Sequence, residues 1–281
     1  MIILQANMHR SKNADLLMEQ MVLEKGVQAV LISEQYAQSE KAWIEDESGT
    51  AAIWLPRATN FVIIAKGSGD GFVYVQNSQF TMISCYLTPN DNIDEFTRKL
   101  ESTEDKALSL EGRLIIAGDF NSKATEWGSA TTNSRGRRVL DMAARLGQVV
   151  LNTGTTTYRK PGCEGTTPDI TLASESIVSF TKDWRVLEDY NGSDHQYITF
   201  CIEMENQRVR ENRNKSTRKW NINKLNPATL LATIDENKTT ICTNSAAKTL
   251  VKTTMQCITL GCNVSMPKIE QKKKCCILVD T

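Results

Sequence analysis

Five places along the chain set an acid, an amide or an imidazole at one end of a short apolar run. In Leu114-Ile-Ile-Ala-Gly-Asp119-Phe-Asn121 the run delivers a carboxylate and, two residues on, a carboxamide. Side chains at i and i+2 of an extended chain share one face, so Asp119 and Asn121 emerge together. Gly118 lets backbone come close beside them. Gly192-Ser-Asp194-His195 precedes the apolar stretch Gln196–Ile202, and Thr167-Pro-Asp169-Ile170 opens another. Ser33-Glu34 closes a fourth run and Gln5-Ala-Asn7 a fifth. Hard carboxylate and carbonyl oxygens without thiolates are the ligand chemistry of magnesium. Taken one at a time, Glu34 and Asp169 read as solvated strand termini, Asn7 as a turn residue, and Asp119 with Asn121 as a tight-turn pair. His195 is one of only two histidines and opens a buried run directly after an acid. His9 lacks that setting and reads as a surface residue.

The elements that must carry these residues alternate between strand and helix signals. Met1–Ala6 is short and apolar before a polar loop, as a buried strand is. Ala14, Leu17, Met18, Met21 and Val22 recur at helical spacing, which predicts a helix capped by Asn13. Val27–Ile32 is a second apolar run. Short strands come next at Ala51–Leu55, Phe61–Ala65, Phe72–Gln76 and Phe80–Tyr86, with Gly67-Ser-Gly-Asp-Gly71 and Gln76-Asn-Ser turns between them. Asn92 and Glu95 form a capping pair for a helix running to about Leu108. Arg113–Ala117 reads as a buried strand, Gly136–Leu146 as an amphipathic helix, and Asp169–Ala173 and Gln196–Ile202 as the last strands. Hairpins mixed with helices, without a strict βαβ rhythm, point to packed sheets with helices outside.

Composition bounds the rest. The 281 residues are 40% hydrophobic and 23% charged, and no run approaches the length of a membrane span. The opening MIILQANMHR does not read as a secretory leader. Eight cysteines contain no C-x-x-C pair, which fits reduced intracellular thiols, with Cys275-Cys276 as tail composition. A net charge of zero hides a partition: residues 1–205 hold 19 Lys and Arg against 28 Asp and Glu, net −9. Residues 206–281 hold 14 against 5, net +9. The expected organisation is therefore an acidic folded domain over 1–205 and a basic, linker-like segment over 206–281. Within that segment Leu225–Ile234 and Ser245–Leu260 carry weak helical patterns.

In chain order the series Gln-x-Asn, Ser-Glu, Tyr86-Leu-Thr-Pro89, Gly-Asp-Phe-Asn, Pro-Asp-Ile-Thr and Ser-Asp-His resembles the exonuclease–endonuclease–phosphatase superfamily. Gly118-Asp-Phe-Asn-Ser-Lys-Ala-Thr-Glu-Trp-Gly-Ser129, with Ser134-Arg-Gly-Arg soon after, is similar more narrowly to the apurinic-type endonuclease domain of insect non-LTR retrotransposons. The likeness covers residues 1 to about 203. The basic stretch with Lys219-Trp-Asn221 and Met266-Pro267 resembles the segment that joins this domain to a reverse transcriptase in such polyproteins. One departure stands out: many relatives carry Pro-Pro where this chain has Tyr86-Leu-Thr-Pro.

The resemblance implies a four-layered α/β sandwich, two mixed sheets flanked by helices, with a magnesium site (manganese as the alternative ion) at one sheet edge. It makes Glu34 the principal metal ligand, with Asn7 beside it and Asp194 helping to hold the site. Asp119 orients or deprotonates the attacking water, Asn121 positions water and phosphate, Asp169 fixes His195 against the scissile phosphate, and Tyr86 donates to a phosphate oxygen. The activity so implied is nicking of double-stranded target DNA to a 3′-hydroxyl that primes reverse transcription of the element. Its setting is nuclear, with element RNA and the reverse transcriptase as partners through the rest of the polyprotein. A repair-type abasic-site endonuclease, a phosphatase, or a decayed copy that binds without cutting are the alternatives. Candidate DNA contacts are Arg135 and Arg138 on one segment and Tyr158, Arg159 and Lys160 on another.

Overall fold

The computed structural model describes residues 1–56, 61–160, 162, 164–204, 221–237 and 247–266. The chain divides into two compact units, Met1–Met204 and Glu205–Thr281. In the first, β1 (Ile2–Asn7), α1 (Lys12–Lys25), β2 (Ala29–Ser33), β3 (Trp43–Glu45) and β4 (Ala51–Trp54) lead into β5 (Ala65–Gly69), β6 (Phe72–Gln76) and β7 (Thr81–Tyr86). Then come α2 (Ile93–Ser109), β8 (Leu114–Asp119), α3 (Ser134–Arg145), β9 (Gln148–Val150), β10 (Asp169–Ser174), α4 (Glu175–Val178), β11 (Thr181–Val186) and β12 (Ile198–Ile202). The strands form two six-stranded mixed sheets, ordered β11-β12-β1-β2-β4-β3 and β5-β6-β7-β8-β10-β9.

The layers arise from which side of each strand is apolar. Ile3, Leu31, Ile53, Val73, Met82, Ile115 and Phe200 fill the space between the sheets. Their sequence neighbours point the other way: Leu4, Val30 and Ile32 pack with Met18 and Val22 of α1. Ile83, Leu114 and Ile116 pack with Phe96 and Leu100 of α2 and with Val139 and Met142 of α3. Strands covered on both faces read as continuous apolar runs, and that signal marked the central strands. The order is α1, sheet, sheet, α2 with α3: an α/β sandwich of four layers.

Several expected boundaries move. Ser11, not Asn13, caps α1, accepting the Ala14 N–H on its hydroxyl. The Asn92–Glu95 capping box of α2 is present in both directions. Phe61–Ala65 is not a strand; pairing begins where that run ends. It continues through Gly67 to Gly69 because the Tyr74 ring lies over Gly67, 2.8 Å from where a Cβ would stand. The edge strands β3, β9 and β11 were not anticipated: β3 and β9 are three residues long, and β11 is mostly polar.

The second unit contains α5 (Pro227–Asn237) and α6 (Ala247–Ser265). They pack antiparallel, with Leu230 and Ile234 over Gly261 and the Asn226 N–H on the Ser265 carbonyl at 3.0 Å. The basic stretch 206–219, Lys219-Trp220, Pro267, Cys163, Cys242 and Cys275-Cys276 lie outside the described residues. Cys85, Cys201, Cys257 and Cys262 are free thiols, and burial pushes the Cys85 thiol far up. No described helix is long and apolar enough to cross a membrane.

Candidate active site

Strand register brings the expected residues to one edge of the sandwich. In the second sheet Tyr86 of β7 pairs with Asp119 of β8, and Asp119 pairs with Asp169 of β10. In the first sheet Asn7 of β1 pairs with Ser33 of β2, so Glu34 comes next at the same level. The Asn7 amide bridges the sheets, donating to Asp119 Oδ2 at 3.0 Å. Below it, Gln5 Nε2 donates to the carbonyls of Gly118 and Ile170, and Ser33 Oγ accepts the Asp119 N–H at 3.1 Å while donating to the Cys85 carbonyl at 2.9 Å. These buried polar stitches hold the two sheet edges in fixed relation, and none of them was legible in the sequence. Gly118 is required here, since a Cβ on it would stand 1.9 Å from the Cys85 carbonyl oxygen.

Backbone strain concentrates at the same edge. Among the described residues five non-glycines have positive φ: His9, Arg10, Glu34, Asn121 and Asp183. His9, Glu34 and Asn121 line the cleft, and Arg10 lies beside Glu34. Such conformations cost on the order of 1–3 kcal/mol each and persist only where surroundings impose them. Here the Glu34 carbonyl accepts the Arg10 N–H at 2.9 Å, the Asn7 side-chain oxygen accepts the His9 N–H at 2.8 Å, and Asp119 Oδ1 accepts the Asn121 N–H at 2.9 Å.

The side chains form two groups. In one, the Tyr86 hydroxyl donates to Glu34 Oε1 at 2.7 Å, with His9 Nδ1 and Arg10 Nε 3.8 and 3.9 Å from the same carboxylate. His9 therefore lines the cleft rather than a remote surface. Burial and the Glu34 hydrogen bond push the Tyr86 phenol well above its ordinary range, so it stays a donor. In the other, His195 Nδ1 lies 2.8 Å from Asp169 Oδ2, which also accepts the Thr157 hydroxyl at 2.7 Å. Ionised Asp169 has only acceptors, so Nδ1 carries the proton, and Nε2 is left 4.0 Å from Asp119 Oδ2. The His195 loop is fixed by its own short side chains: Asn191 Nδ2 donates to the His195 carbonyl, and Ser193 Oγ donates to the Asn7 carbonyl. Asn-Gly-Ser turn chemistry was the signal available for that loop.

Electrostatics divide the pair. Burial disfavours the His195 cation, but the charge and hydrogen bond of Asp169 outweigh it and raise the imidazole to about 9. Burial and the charge of Asp169 push Asp119 up to about 7, against the lowering by His195. The site holds more negative charge than its own cation offsets. Asp119, Asp169 and His195 present ligand atoms all within 4.8 Å of one another. Asp169 accepts both donors on Oδ2 and does not line the cleft, so the carboxylates that face it are those of Glu34 and Asp119. Oxygen donors with uncompensated charge fit a hard divalent cation.

Glu34, Tyr86, Asp119, Asn121 and His195 line a cleft of about 400 Å³, together with Pro89, Asn90, Lys123, Tyr158 and Thr166–Pro168. Tyr158 lies against His195, ring centroids 4.8 Å apart, with exposed Arg159 and Lys160 next along the chain. Asp194 is half-buried; its carbonyl accepts the Arg159 N–H at 2.9 Å, and it does not line the cleft. Arg138 is exposed on α3. Arg135, expected on DNA, donates instead to the carbonyls of Thr88, Pro89 and Asp91. Lys123 in the cleft was missed.

Residues 80–199 match the family model described as endonuclease-reverse transcriptase. The endonuclease domain of TRAS1, a telomere-specific non-LTR retrotransposon, is 26% identical over 73% of this chain and 99% of that chain, with a TM-score of 0.64. Over these residues the chain is similar to the endonuclease domains of non-LTR retrotransposons. An AP endonuclease from Archaeoglobus fulgidus shares the fold of this chain at 14% identity and a TM-score of 0.58, over 73% of this chain and 100% of that one. Curated protein sequences give no match to this chain.

Proposed function

We propose that this nuclease is a magnesium-dependent DNA endonuclease that nicks one strand of a duplex, leaving a 3′-hydroxyl and a 5′-phosphate. The 3′-hydroxyl would prime reverse transcription of the element. The observation that carries the reading is the meeting of Glu34–Tyr86, Asn7–Asp119–Asn121 and Asp169–His195 at one sheet edge, with Glu34, Tyr86, Asp119, Asn121 and His195 lining one cleft. A phosphodiester repels nucleophiles by its own charge, so hydrolysis needs a base for water and groups that neutralise developing charge. Glu34 and Asp119 would hold magnesium, or manganese in its place, with Asn7 beside them orienting Asp119, and the bound ion would neutralise charge on the phosphate. Asp119 as carboxylate accepts the proton of the attacking water. Asn121, tied to the Leu87 carbonyl at 3.1 Å, orients water and phosphate beside it. Asp169 keeps His195 protonated with Nε2 toward the cleft, where it donates to the scissile phosphate. Tyr86 supplies a second donor. Tyr158, Arg159, Lys160 and Arg138 are the proposed contacts to the flanking strand.

Supercoiled plasmid incubated with magnesium, with and without EDTA, tests this. Expected are open circles only in the metal-containing arm, with nicks that a polymerase extends directly. Nicking confined to abasic sites would favour the repair reading. Phosphate release without nicking would favour a phosphatase.

A further inference from the structure

Arg135 spends its guanidinium inside the protein. Nη1 donates to the Thr88 carbonyl at 3.0 Å, Nη2 to the Pro89 carbonyl at 3.1 Å and to the Asp91 carbonyl, and the group lies over the Phe96 ring of α2, 4.8 Å from its centroid. The three carbonyls belong to the loop that leaves β7 after Tyr86, whose Pro89 and Asn90 line the cleft. That loop has few bonds of its own beyond Leu87 N–H on the Asp119 carbonyl and Asn90 N–H on the Thr88 hydroxyl. Its remaining anchors come from elsewhere: Arg135 on α3, Lys99 of α2 on the Asp91 carboxylate at 2.9 Å, and Asn121 on the Leu87 carbonyl.

Arg135 is itself held in place. It is the second residue of α3, whose cap Asn133 accepts the N–H groups of Gly136 at 2.7 Å and Lys123 at 3.2 Å. Gly136 sits so close to the segment after Asn121 that a Cβ would stand 1.9 Å from the Lys123 carbonyl oxygen. The start of α3 is thereby locked to the Asp119–Lys123 segment on one side, and Arg135 reaches from it to the Thr88–Asp91 loop on the other. A planar fork that bonds several carbonyls while stacking on an aromatic ring is specific to arginine; a lysine ammonium at the end of a flexible stem reproduces neither feature.

We propose that Arg135 is a positioning residue: it clamps the Thr88–Asp91 loop so that Pro89 and Asn90 form a rigid wall of the cleft, and it makes no phosphate contact. The kinetic part of the test rests on the nuclease reading; the exchange part does not. Arg135→Ala and Arg135→Lys are compared with the parent as full chains. Amide hydrogen exchange over residues 87–91 should quicken about tenfold or more in both variants while the central strands keep parental protection. Nicking kcat/KM should fall on the order of 10–10² in both, the scale of a roughly 1 Å misplacement. The salt dependence of duplex affinity should stay parental, and Asn90→Ala should cost much less in the Arg135→Ala background than alone. Parental exchange over 87–91 in Arg135→Ala would overturn the clamp. Rescue of nicking by Arg135→Lys, together with a salt slope shallower by about one in Arg135→Ala, would make Arg135 a phosphate contact and overturn it equally. An inactive parent would count against the nuclease reading alone, and the exchange result would still decide the clamp.

Discussion

With only two histidines in the chain, the protonation of His195 is open to direct titration. Its ring should titrate near 9 in metal-free protein, and in Asp169→Asn it should fall, because burial is then opposed only by the charges of Asp119 and Glu34. Ring resonances in an NMR titration, assigned with a His9 variant, check this. The raised value also sets a pH window for stability. The stabilisation by Asp169 is complete below about 6.5 and is lost as pH rises through about 9, so parent and Asp169→Asn should converge in stability above that. Asp119 has the opposite sign. Its folded-state value is raised, so burying its charge costs stability above about pH 7, and that cost disappears as pH falls toward 4. Asp119→Asn should therefore melt at a higher temperature than the parent at pH 8 in EDTA, with no difference at pH 4. An unchanged melting temperature at pH 8 would mean the carboxylate is already compensated. For the reaction, His195→Ala should lower the nicking rate on the order of 10² or more.

At the level of elements, the close passage of β8 against β7 is what sets Asp119 beside Tyr86. Gly118→Ala should force those strands apart and cost about 3 kcal/mol or more, measured by thermal or denaturant unfolding, because the Cys85 carbonyl cannot yield without moving the ladder. A variant of parental stability would show that the contact is loose. This junction also shows what the sequence could tell. β1, β2, β8 and β10 bury both faces, so their apolar runs were legible, and the acid or amide at each run's end was legible as a site residue. The four strands missed or misplaced, β3, β5, β9 and β11, are the sheet edges. In β11 the polar residues Lys182, Asp183 and Arg185 are at home because one flank faces solvent. Partners such as Thr157, Gln5 and Ser33 were illegible for another reason. Short polar side chains acquire their roles from strands paired across long stretches of chain, and no local pattern encodes that pairing.

For the whole molecule, we propose that the charge partition separates cutting from holding. The first unit carries its own three apolar layers and the complete cleft, while 14 Lys and Arg lie after residue 205. Phosphate contacts release counterions without distinguishing sequences, so a chain of residues 1–204 should cut at the same positions as the full chain. It should bind duplex more weakly and with a flatter salt dependence. Shifted cleavage positions would make the second unit a reader of sequence, and unchanged affinity and slope would mean it touches no DNA. All of this depends on the edge cluster performing hydrolysis. The direct measurement is the magnesium-supported nicking rate of Asp119→Ala beside the parent, with duplex affinity and unfolding recorded on the same preparations. Nicking should be abolished while affinity and fold are retained. Nicking within tenfold of the parent would contradict the assignment of this cleft as the catalytic centre.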